Sequence, residues 1–235
     1  MPPTSARTPE DRMTDAVPAP RPLLVAFLVV AVVHVVAVAA DVAGLAYLTK
    51  PFLVGLLLVW TWVATDRHPP GLLVAGLLAA LAGDELLEPS GTVWFLAGMA
   101  AFLTMQVCYV VGFVRFGALD RLRARPWIPV GWVLLWVALN VALGPSLGDM
   151  RIPILVYSAA LVTMAAMAVA TGHGRIAVGG VAFPVSDLLL GLGVADLDVP
   201  ASGVLVMTTY ALAQYLIVTG WVLAARATVR PGVAS

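Results

Sequence analysis

"VAFPVSDLLLGLG", Val181 to Gly193, is apolar throughout except at Ser186 and Asp187. With the residues from Arg175 onward it makes a run long enough to cross a bilayer as a helix, which takes about 20 residues. A carboxylate inside such a run costs at least about 2.5 kcal/mol, even on the lenient insertion scale. The chain does the same in "LLAALAGDELL", Leu77 to Leu87, at Asp84. Two acids set into apolar runs point to a membrane protein with a polar site inside it.

Composition agrees. The 235 residues are 61% apolar and 11% charged, against about 25% charged in an ordinary soluble domain. Eight hydrophobic segments are read at about 23–40, 47–65, 71–87, 92–114, 127–143, 152–170, 175–193 and 203–225. Without water, each must satisfy its own backbone, so helix is expected throughout. The expected fold class is therefore an all-α membrane protein of eight transmembrane helices. Residues 1–22 are rich in Pro and charge, without periodicity, and read as a disordered tail. Residues 23–226 form the membrane domain and 227–235 a short C-terminal tail.

Basic residues set the orientation. Eleven of the 13 lie in the N-terminal tail, loop 65–70, loop 115–126, the 171–175 turn and the C-terminal tail; only Lys50 and Arg151 lie on the other side. That other side holds eight of the 13 acids. Both termini are expected in the cytoplasm of a multi-pass cell-membrane protein. An Ala-x-Ala pattern at 37–39 resembles a signal-peptide cleavage site. The long tail before it carries Glu10, Asp11 and Asp15, unlike a short basic leader.

Segments one to four and five to eight resemble each other. Lys50-Pro51 opens the second and Arg151-Ile152-Pro153 the sixth. Pro at the first turn of a helix is well tolerated. Pro51 precedes Asp84 by 33 residues and Pro153 precedes Asp187 by 34. "PSG" (Pro89 to Gly91) then matches "PASG" (Pro200 to Gly203), and Phe102-x3-Gln106 matches Tyr210-x3-Gln214. A parallel 4+4 internal repeat is expected, with Asp84 and Asp187 facing each other across its axis.

Ionisable groups at membrane depth usually face the bundle interior and serve function. Asp84 and Asp187 are the candidate catalytic pair. Lys50, Arg151, Tyr157, Ser186, Tyr210 and Gln214 are the candidate substrate-binding groups around them. For Asp187 the competing reading is a structural ion pair with Lys50 or Arg151. For Asp84 the competing reading is a place, with Glu85 and Glu88, in a solvated acidic loop. His34, alone on an apolar helix, reads as buried and hydrogen-bonded, and the seven Trp residues as interface or packing. One His within the segments is too few for a His-rich zinc site, so neither metal nor cofactor is expected. Lys50, the only lysine, stands at a segment end, poorly placed for retinal. Zero net charge and short basic loops speak against a nucleic-acid partner.

"LTKPFLVGLLL", "AALAGDELL", "FPVSDLLLGL" and "TTYALAQYLIVTG" together resemble the YhhN family, the lysoplasmalogenases, over about residues 45–225. Family members often carry His before the aromatic of the fourth segment; here "TMQVCY" has Gln106 there and keeps Tyr109. The resemblance implies cleavage of the vinyl ether of a lysoplasmalogen, a lysophospholipid drawn from the membrane, to a fatty aldehyde and a glycerophospho-alcohol. It also implies that Asp84 and Asp187 catalyse it. Vinyl ethers hydrolyse by protonation at carbon, then addition of water to an oxocarbenium ion. One carboxylic acid and one carboxylate suit that sequence, as in glycosidases, and two close carboxyls tend to share one proton. The alternative function is a non-enzymatic proton-coupled transporter or lipid-binding membrane protein; turnover of lysoplasmalogen by purified protein separates the two.

Overall fold

A computed structural model of the chain describes residues 21–228. The two expected tails lie outside the described residues, save for residues 21–22 and 227–228, which are helical. Among the described residues all regular structure is helical. The helices are α1 (Arg21–Ala39), α2 (Ala43–Ala64), α3 (Gly71–Leu86), α4 (Thr92–Arg115), the short α5 (Ala118–Ala124), α6 (Trp127–Leu143), α7 (Arg151–Ala170), α8 (Gly174–Val194) and α9 (Ser202–Thr228). Two 3₁₀ turns, Gly144–Ser146 and Gly148–Met150, join α6 to α7.

Seven of these helices are long and apolar enough to cross a membrane. The exceptions are the short α5 and α3, whose 16 residues reach about 24 Å, short of the roughly 30 Å hydrocarbon core. α3 stops two residues after Asp84, just before the helix-breaking run Pro89-Ser90-Gly91.

The long helices close into a ring. α1 packs on α2, α2 on α3, α3 on α4, α4 on α7, α7 on α8, α8 on α9, and α9 returns to α1 and α2. α6 stands outside this ring, packed chiefly on α7, and buries none of its residues. Lipid tails are as apolar as Leu, so close approach at small residues must hold such helices together. Gly179 on α8 shows it. A Cβ there would meet the Ala213 carbonyl oxygen of α9 at 2.8 Å and Ile217 at 2.9 Å. Gly179→Val should therefore part the two helices and cost about 1–3 kcal/mol. Thermal unfolding in detergent should show a clear fall in midpoint; an unchanged midpoint would contradict so tight an α8–α9 seam.

One helix start differs from the sequence reading. α2 begins at Ala43, so Lys50 lies seven residues in, about 10 Å along the axis. Pro51 is accordingly inside α2, not in its first turn, and its missing N–H leaves the Tyr47 carbonyl without its helical donor. Arg151, by contrast, is the first residue of α7. The two basic–Pro pairs thus occupy different places in their helices.

Candidate active site

Asp187 lies seven residues before the end of α8, about 10 Å in from the acidic end of the bundle. Lys50 lies as far in on α2 from the same end. Asp84 sits in the last turn of α3, next to Gly83. A Cβ at Gly83 would lie 2.7 Å from the Phe102 ring, so glycine lets α3 press on α4 where the carboxyl emerges. Asp84 is buried, at 4% exposure, and Asp187 is half-buried.

Each carboxyl is held by a tyrosine. Tyr157 of α7 donates to Asp187 Oδ2 at 2.5 Å, and Tyr210 of α9 donates to Asp84 Oδ2 at 2.7 Å. Among the described residues, Oδ1 of each accepts no hydrogen bond, and neither carboxyl is ion-paired. The structural ion pair of Asp187 with Lys50 or Arg151 is therefore not formed: Lys50 pairs with Glu88 instead. Behind Tyr210, Gln214 directs Nε2 to the Tyr210 hydroxyl at 3.5 Å and accepts from Tyr109 at 2.8 Å. Phe102, Phe183 and Tyr210 pack edge to face, 5.7–6.4 Å between ring centres. Their rings make a rigid support under Asp84.

Both carboxyls line one cavity of about 470 Å³. Lys50, Tyr157, Ser186 and Tyr210 line it too, while Ser186 spends its hydroxyl on the Val206 carbonyl at 3.0 Å. The rest of the wall is mostly apolar. One side is a stripe of α6 at Trp132, Leu135, Trp136, Leu139, Asn140 and Leu143. Burial of apolar surface, not hydrogen bonding, would dominate the affinity of such a cavity. A single lipid chain with a few polar atoms at one end fits its chemistry.

Two expected binding residues lie elsewhere. Arg151 is exposed, rests beside Gly144 and does not line the cavity. Its charge therefore stays at the exposed surface. Gln214 is buried behind Tyr210 rather than in the wall. Glu88, read as a solvated loop residue, is ion-paired with Lys50. His34 is buried and bonds Thr49 Oγ1 at 2.9 Å, tying α1 to α2 as expected. Sequence reasoning missed the α6 wall. Its signal was present: the six α6 positions recur at i, i+3, i+4, i+7, i+8 and i+11, one helical stripe. Among the described residues no cluster of His, Cys, Asp or Glu could hold a metal ion.

A family model described as the YhhN family matches residues 45–221. Two curated relatives, both named lysoplasmalogenase, come from Mycobacterium bovis and Mycobacterium tuberculosis. Each is 34% identical over 174 aligned residues, covering 67% of this chain and 64% of the relative. The chain thus spans a little under two thirds of the length of these relatives. No solved structure matches it.

Proposed function

The chain belongs to the YhhN family, and we propose that it is a membrane hydrolase that cleaves the vinyl ether of a lysoplasmalogen. The observation that carries this reading is two carboxyls, neither ion-paired among the described residues, on the wall of one mostly apolar cavity. The names of its relatives support the same reaction.

In this reading the alkenyl chain lies along the α6 stripe and the phosphate lies toward Lys50. One carboxylic acid donates a proton to the alkene carbon farther from the ether oxygen. The alkene electrons form the new C–H bond, and the ether oxygen supports the resulting oxocarbenium ion. The other carboxylate stabilises that cation, then takes a proton from the water that adds to it. The hemiacetal collapses to a fatty aldehyde and the glycerophospho-alcohol. One water is consumed and no redox partner is needed. Tyr157 and Tyr210 each hold one oxygen of a carboxyl, leaving the other for proton transfer. Positioned acid–base groups of this kind contribute about 10²–10⁴-fold.

The same reading has α3 as an eighth, short span, with both termini in the cytoplasm. The basic bias supports it, because Lys and Arg favour the cytoplasmic side. Helix packing is compatible with a 4+4 repeat: α4 of the first half meets α7 of the second, as α9 of the second meets α2 of the first. Topology is tested with reporters fused after Arg226. A reporter active only in the cytoplasm should work there, and one active only outside should not; the reverse would overturn the orientation. The activity is tested by aldehyde release from a lysoplasmalogen by purified protein.

A further inference from the structure

Lys50 is the only lysine of the chain. It points into the main cavity, its side chain is 14% exposed, and its charge is already spent on Glu88. Glu88, on the loop after α3, is 34% exposed, so a ligand can reach it. A second cavity of about 340 Å³ lies beside the first, bounded by Leu87 and Pro89 on either side of Glu88. It shares Leu87, Phe95 and Val194 with the main cavity. Glu88 itself lines neither cavity, but Leu87 and Pro89 beside it line the second.

A lysine already paired is a poor anchor for a simple anion. A bare phosphate drawn to Lys50 would put a second negative charge beside the Glu88 carboxylate, and like charges repel. A ligand with a phosphate and an ammonium two carbons beyond it has no such penalty. Its phosphate replaces Glu88 at Lys50, and its ammonium replaces Lys50 at Glu88. Two charge-assisted contacts then stand where one stood.

We propose that Lys50 and Glu88 together form a headgroup subsite that selects a zwitterionic phospho-ammonium group over an anionic one. This rests on the lysolipid reading above and adds a specificity-determining role for Glu88.

The test uses two alkenyl lysolipids of equal chain length. One carries phosphoethanolamine; the other carries phosphopropanol, in which a methyl replaces the ammonium. The wild-type protein should prefer the first by about ten- to a hundredfold in kcat/KM, the range for a hydrogen bond to a charged group. Glu88→Gln should bring that ratio close to one, and Glu88→Asp should keep a preference. If Glu88→Gln is poorly folded, Lys50→Gln with Glu88→Gln removes both charges at once and should lose the ratio as well. Binding of the matching alkyl ethers, which lack the vinyl group, is measured in parallel and should show the same ratio in Kd. If neither alkenyl lipid is cleaved yet the Kd ratio holds, the hydrolase reading fails and the subsite stands. A wild-type ratio near one in binding, or a ratio unchanged by Glu88→Gln, overturns the subsite.

Discussion

Asp84→Asn and Asp187→Asn should each lower aldehyde release from a lysoplasmalogen by about 10²–10⁴-fold, the usual worth of a positioned acid or base. Asn keeps the size and polarity of Asp but neither donates a carboxyl proton nor carries negative charge. It still accepts from Tyr157 or Tyr210 through its amide oxygen, so the hydrogen bonds at 2.5 and 2.7 Å have a partner left. Folding should survive, as neither carboxyl closes an ion pair among the described residues. The double variant should be little worse than either single one, because the two groups act as a unit. Rates are compared at matched concentrations of folded protein. Near-normal turnover in either variant would remove that residue from the chemistry.

Gly191→Phe should be nearly as damaging for a different reason. Gly191 lines the cavity, and a Cβ there would meet nothing within 4 Å. Its φ lies outside the left-handed region, and it sits inside α8. The larger residue strains no backbone and fills space that the lipid chain needs. Displacing three or four methylenes, each worth about 0.8 kcal/mol of burial, should cost about a hundredfold in kcat/KM for a long-chain lipid. Shorter chains should be affected less. Stability should hold or rise, since glycine is a poor helix former. Thermal unfolding and a chain-length series measure both halves. Loss of activity with loss of stability would instead mean that Gly191 is packed, not facing a lipid cavity.

Much of this was legible in the chain, and the misses share a cause. Helix positions follow hydropathy closely because an apolar run of that length has few other uses. Asp84 and Asp187 stood out because a carboxylate in such a run is costly. Depth was harder to read. The second segment was expected to begin at about residue 47, so Lys50 looked like a segment-end residue when it lies well inside the helix. Arg151 looked like its counterpart and is exposed. Glu88 shares a short acidic run with Glu85, and nothing local marks it as the partner of a lysine 38 residues away. Gln214 shares a helical face with Tyr210, so spacing brought the two together without showing which one faces the cavity. The α6 wall was overlooked because an apolar stripe on a membrane helix usually faces lipid or a neighbouring helix.

Hydrolysis in D₂O tests carbon protonation by the two carboxyls most directly. Purified wild-type protein is incubated with an alkenyl lysolipid in D₂O, and the aldehyde is examined by mass spectrometry. Protonation at carbon places one solvent deuterium on the carbon next to the aldehyde carbonyl. Singly labelled aldehyde should be formed by the wild-type protein far above the protein-free background, and by neither Asp84→Asn nor Asp187→Asn. Aldehyde release no greater than the protein-free background would contradict the hydrolase reading.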